Sequence, residues 1–210
     1  MQKHLGGTRI TKFLAATALI ASLGTAAALM GAAGRAPQAA SASAPADGAF
    51  KVDAVHSTVA FRIQRVNGAP FYGTFRQIDG TFNFDGASPS ASFTIPVESI
   101  DSNNEGRDKH LKSPDFFSSK EFPNLSFKST SIKKTGDNTF ELTGELTVRG
   151  TTKPVTAKAT QTGTGPARGG GTMIGYDVQF TIKRAEFGIT YGPQALGDEV
   201  TVMVGLEGKR

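Results

Sequence analysis

Phe140-Glu141-Leu142-Thr143-Gly144-Glu145-Leu146-Thr147-Val148 (FELTGELTV, residues 140–148) is the stretch on which the fold turns. Phe140, Leu142, Leu146 and Val148 fall on one side of an extended chain, with Glu141, Thr143, Glu145 and Thr147 on the other. Side chains alternate faces along a strand, so this is a strand with one apolar face and one wet face.

The same alternation appears on both sides of it. Upstream, a first strand carries Val55, Ser57, Val59, Phe61 and Ile63 inward, with His56, Thr58, Arg62 and Gln64 outward. A second runs over residues 71–84, bent around Asp79-Gly80. A third carries Phe93, Ile95 and Val97 inward, and a fourth Leu125 and Phe127. Downstream, a sixth carries Val155, Ala157 and Ala159, a seventh Ile174, Tyr176, Val178, Phe180 and Ile182, and an eighth Val200, Val202, Val204 and Leu206. Gly, Pro, Asp and Asn cluster between them, as at Asp85-Gly86-Ala87-Ser88-Pro89 and Gly136-Asp137-Asn138. Only residues 103–117 (NNEGRDKHLKSPDFF) lack alternation. They predict a short helix that starts at Ser102, Asn103 or Asn104, stops before Pro114 and lies over one end of the sheet structure.

Eight one-sided strands in one small all-β domain have two main solutions, a closed barrel or a two-sheet sandwich, and period alone does not choose between them. Charged and threonine-rich outward faces oppose a barrel set in an outer membrane, whose outside must be apolar.

Residues 1–42 have a different composition. Lys3, Arg9 and Lys12 precede the uncharged Ala/Leu-rich residues 13–33, and Ala40-Ser41-Ala42 is a small-residue cleavage site. This predicts an export signal removed after Ala42, with Ala42-Ser43-Ala44 second because cleavage there would leave Pro45 first. The alternative is an uncleaved anchor, since about 20 apolar residues span a bilayer. Residues 43–49 are expected to be a flexible lead-in, and residues 50–210 the folded domain.

The whole chain carries 23 basic and 18 acidic residues. Removing residues 1–42 takes away Lys3, Arg9, Lys12 and Arg35 and no acid, which leaves 19 against 18. The basic excess belongs to the leader, so nucleic acid is not an expected partner. The chain has no cysteine, which excludes disulfides, thiolate metal sites, a cysteine nucleophile and an acylated-cysteine anchor.

Polar chemistry is thin. Asp53-x-x-His56 and Asp108-x-His110 each offer two ligands where zinc takes three or four from the protein, so no metal is expected. Asp101, Arg107, Asp108 and His110 could seat a general base, but equally a capped, salt-bridged helix, and no third member or oxyanion site accompanies them. No Gly-x-Ser-x-Gly elbow occurs, and residues 163–171 join two strands without opening a helix that could cradle phosphate. The expectation is therefore a non-enzymatic protein without a cofactor. Its 15 phenylalanines suit a hydrocarbon-filled interior and a self-packed core equally well.

Seven short motifs stand in order: Asp53-x-x-His56-Ser57-x-Val59-x-Phe61; Gly73-x-Phe75; Ser99-Ile100-Asp101; Arg107-Asp108-x-His110-Leu111-x-Ser113-x-Asp115-Phe116-Phe117; Phe122-Pro123-x-Leu125-x-Phe127-x-Ser129-Thr130; Gly144-x-Leu146-Thr147-x-x-Gly150-x-Thr152-Lys153-Pro154-Val155; and Arg184-x-x-Phe187-Gly188. In this series the chain resembles the YceI-like family of periplasmic polyisoprenoid-binding proteins. The resemblance implies an eight-stranded antiparallel, lipocalin-like barrel with the short helix over one end. It also implies a tunnel for a long apolar lipid, an isoprenoid such as a polyprenyl chain or isoprenoid quinone. It further implies a periplasmic or secreted location and only transient membrane contact, and it admits a homodimer. Taken by strand phase, the lining positions would be Val59, Phe61, Ile63, Arg65, Phe93, Ile95, Leu125, Phe127, Phe140, Leu142, Tyr176 and Phe180, forming one continuous cavity. One position departs from the family. Many members have histidine two residues after the position of Ile63, where this chain has Arg65, whose guanidinium suits a phosphate or acidic head better than a neutral ring.

Overall fold

The computed structural model describes residues 48–210. The expected export segment, its expected cleavage point and all but the last two residues of the expected lead-in lie outside the described residues. Eleven strands form one antiparallel sheet: β1 (Phe50–Val52), β2 (Thr58–Arg65), β3 (Phe71–Phe75), β4 (Asp79–Asn83), β5 (Ser90–Pro96), β6 (Ile100–Asp101), β7 (Asn124–Gly136), β8 (Thr139–Val148), β9 (Thr151–Pro166), β10 (Thr172–Lys183) and β11 (Leu196–Lys209). The order is β1-β4-β5-β7-β8-β9-β10-β11-β2-β3-β6, and a further pairing of β1 with β11 closes the ring.

Eleven strands reduce to eight because the first three expected strands are each broken in two. β1 and β2 share one edge of β11, pairing with its residues 208–209 and 196–205 respectively. β4 then pairs with β1, and β3 with β2. β5 and β6 continue the same pattern, joined by a 3-10 turn at Val97–Ser99. The result is an eight-stranded antiparallel barrel with peripheral strand pieces, as expected.

Each break corrects the reading by period. Val55, expected inward on the first strand, is 86% exposed, because residues 53–57 form a turn rather than a strand. That turn is held to β11: Asp53 N–H donates to the Glu207 carbonyl at 2.8 Å, and the Glu207 N–H donates to Ser57 Oγ at 3.0 Å. Val97 is fully buried as expected, but in the 3-10 turn.

One α-helix, α1 (Glu105–Leu111), occupies the non-alternating stretch. Asn104 is its cap, its side chain accepting from Arg107 N–H at 2.9 Å and satisfying a donor that no helical carbonyl can reach. The helix ends at Lys112, two residues before Pro114. None of its residues is fully buried. Asp108, which accepts from Ser102 N–H, Arg107, whose guanidinium lies over the Phe71 ring, and the buried Phe116 that follows the helix tie it to the barrel.

Candidate functional site

Inside the barrel, height along the axis divides the apolar residues into two groups. At one end large rings fill the interior. Phe84 and Tyr176 lie 4.5 Å apart between centroids, and Tyr176 also meets Phe82 and Phe140 edge-on at 5.8 Å. Small residues opposite make the room: a Cβ on Gly208 would come within 2.5 Å of the Phe82 ring. None of the rings in this aromatic plug lines the cavity at the other end.

Towards the other end the interior is open, a cavity of about 560 Å³. β2 lines it with Val59, Phe61, Ile63 and Arg65, and β3 adds Phe71 and Phe75. Leu125, Leu146 and Val148 come from β7 and β8, and Phe180, Ile182, Val200 and Val202 from β10 and β11. Leu111, Phe116 and Phe117 close over it from α1 and the segment after it; Phe117 meets Phe75 edge-on at 5.7 Å.

Of the twelve positions expected to line a cavity, Val59, Phe61, Ile63, Arg65, Ile95, Leu125 and Phe180 do so. Phe93, Phe127, Phe140, Leu142 and Tyr176 do not. They share the inward face but lie towards the plug, where Phe93 stacks on Phe127 at 6.3 Å and Phe140 and Leu142 are almost fully buried. The expected single cavity is thus a cavity and a plug. Strand phase reports which face a residue takes but not its height along the barrel.

Sequence reasoning missed the rim. Arg107, His110, Arg184, Tyr191 and Leu196 all reach the cavity from outside the strand-phase pattern. Arg184 is buried and donates from Nε to the Gly197 carbonyl at 2.8 Å. Its Nη1 bonds the carbonyls of Ile189 and Tyr191 at 3.1 and 2.7 Å, and its Nη2 that of Leu196 at 3.3 Å. The β11 ladder with β2 is irregular between Leu196 and Val200, which frees the Leu196 and Gly197 carbonyls for the side chain, while those of Ile189 and Tyr191 come from the loop before β11. Gly188, at φ 75°, ends the 3-10 turn Arg184–Phe187 in the left-handed region. The Arg184-x-x-Phe187-Gly188 motif therefore shapes the 188–197 loop into one wall of the mouth.

The Asp–His pair read from spacing separates in space. Asp108 accepts from Ser102 N–H at 2.8 Å and from the Ser102 hydroxyl, whereas His110 Nε2 bonds Asp115 at 2.8 Å. The His110 ring packs edge-on against Phe116 and Tyr191, so it is a wall of the mouth oriented by Asp115. On the opposite seam, closure of the barrel brings Glu207 to Asp53 and His56, a third potential ligand that spacing did not show. Lys209 pairs with Asp53 and supplies a positive charge to this cluster. Its hydrogen bond, with that of His56, holds the Asp53 carboxyl well below the usual range, and Lys209 is raised in turn.

Residues 50–208 match the YceI-like domain. The chain belongs to the YceI-like family. It is 42% identical over 164 residues to Protein YceI of Salmonella newport strain SL254, covering 76% of this chain and 85% of that one. Among solved structures it is similar to Burkholderia cenocepacia BcnA, at 29% identity and a TM-score of 0.65, covering 74% of this chain and 98% of the other. A polyisoprenoid binding domain from Saccharophagus degradans, implicated in plant cell wall breakdown, shares the fold at 13% identity and a TM-score of 0.60, covering 76% and 97%. Membership of the YceI-like family and the barrel itself support a lipid-binding protein rather than an enzyme.

Proposed function

We propose that this chain binds a long-chain isoprenoid in the open half of its barrel, and carries or sequesters it in the periplasm or outside the cell after cleavage near Ala42. The observation that carries this is the cavity itself, walled by aromatic and branched aliphatic side chains, closed below by the plug and open at a rim. Such a wall offers few hydrogen bonds to fix a polar substrate and holds a hydrocarbon by burial. At about 25 cal/mol per Å², a few hundred Å² of shielded chain supplies several kcal/mol before ordering costs. The seven family motifs and the polyisoprenoid binding of a fold relative favour an isoprenoid over a straight chain. Lipid would enter and leave through the rim during transient contact with a membrane, whether the protein acts as a single chain or a homodimer.

Mass spectrometry of an organic extract from gently purified native protein tests this. A stoichiometric isoprenoid is the expected result. A protein that carries none, and takes up none when offered, would be a filled or empty barrel with another role.

A further inference from the structure

Resting on the carrier reading, the mouth of the cavity says more about the cargo than its walls do. Three arginines and one histidine line the cavity, and no carboxylate does. No ion pair among the described residues involves Arg65, Arg107 or Arg184. The three are close neighbours in the fold. Arg65 sits opposite Leu196 in the ladder, and the Leu196 carbonyl accepts from Arg184. Phe71 pairs with Ile63, two residues before Arg65, and the Arg107 guanidinium lies 4.3 Å over the Phe71 ring.

Two of these cations are held in place. Arg184 donates only to backbone carbonyls, which satisfy its hydrogens and leave its charge uncompensated beside the cavity. Arg107 spends Nε and Nη2 on Ser102, at 2.9 and 2.6 Å. Arg65 differs: it is exposed, lines the cavity, and makes no side-chain hydrogen bond among the described residues. A guanidinium is a planar fork matched to two oxygens of one anion. We infer that the cargo is an amphiphile with an anionic head, phosphate or carboxylate, whose tail fills the cavity and whose head is gripped by Arg65 in the positive field of Arg107 and Arg184.

The test measures displacement of the neutral fluorophore N-phenyl-1-naphthylamine by three twenty-carbon isoprenoids: geranylgeranyl diphosphate, geranylgeraniol and phytanic acid. Their tails are comparable and their heads differ. Hydrogen bonds to a charged group predict that the diphosphate binds about ten to a hundred times tighter than the alcohol, and added salt should narrow the gap. Arg65→Gln should bring the diphosphate-to-alcohol ratio towards one, and Arg65→Lys should restore part of it; an unchanged melting temperature shows that each variant is folded. If phytanic acid follows the diphosphate, any anionic head is accepted; if it follows the alcohol, the site requires phosphate. A parent ratio near one, or a ratio that survives Arg65→Gln, overturns the inference and leaves the carrier reading standing. If none of the three displaces the probe, the carrier reading itself falls.

Discussion

Phe61 of β2 brings the tip of its ring against Gly73 of β3, so close that a Cβ on Gly73 would come within 2.4 Å of the Phe61 ring. The two are cross-strand partners, and the missing side chain of one makes room for the ring of the other along the cavity wall. Gly73→Ala should therefore push Phe61 into the cavity or off its rotamer. Overpacking of this kind costs about 1–3 kcal/mol. The expected result is a lower melting temperature together with reduced lipid content; an unchanged protein on both measures would mean that the Phe61 position is not fixed by Gly73.

Much of this architecture is legible in the sequence because alternation is a local signal. Residues 140–148 predict their own faces, and Leu146 and Val148 duly point inward in β8. What alternation does not carry is where a strand breaks or how high a residue stands. Val55 keeps perfect phase with Val59, yet the turn that Asp53 and Ser57 tie to Glu207 puts it in solvent. Phe140 keeps phase with Leu146 and belongs to the plug. The rim was hidden for a different reason: Tyr191 meets His110, and Arg184 shares the cavity wall with Arg65, only because the fold brings distant segments together, and no spacing in the chain reports that.

Asp53 predicts an acid limit on stability. Its carboxyl is held low by Lys209 and His56 in the folded protein and returns to about 3.9 when unfolded. The unfolded chain therefore binds the extra proton, and stability falls as pH drops below about 4 towards the folded value. Asp101, lowered by the backbone N–H of Asn103 and by Arg76, acts in the same direction. Asp53→Asn should melt earlier at pH 7 and show a shallower decline between pH 4 and 2 than the parent. Parallel profiles would show that the seam contributes nothing.

The same seam bears on metals. Asp53, His56 and Glu207 offer three ligand atoms, but His56 is largely exposed and Lys209 already sits against Asp53. A dication entering there would have to displace or repel that ammonium. Dialysis against chelator should leave the melting temperature unchanged, and added zinc should not raise it. A zinc-dependent rise abolished by His56→Ala would establish a metal site instead.

The division into plug and cavity predicts that enlarging two inward residues will have opposite consequences. Ala157 is buried and does not line the cavity, so Ala157→Phe has nowhere to expand and should destabilise by about 1–3 kcal/mol. Val202 lines the cavity opposite Phe61, and Val202→Phe can grow into open space. It should keep the melting temperature of the lipid-free protein and lose cargo. Equal destabilisation by both would mean that the cavity closes on itself when empty.

The plug also sets a length. A cavity of about 560 Å³ that ends at the rings of the plug accepts a tail of limited length. Affinity across a series of prenyl alcohols should therefore rise with each unit while new apolar surface is buried, and flatten once further units meet Phe82, Phe84, Phe140 and Tyr176 or remain in water. The rings that would have to move are among the most deeply buried in the molecule, Phe82 and Phe140 each 1% exposed. Opening the plug would mean ejecting well-packed aromatics, so a longer tail gains little by forcing it. The series can be measured by displacement of a bound fluorophore at constant salt. A steady rise through eight units would show that the plug yields to the tail and that the tunnel runs the full length of the barrel.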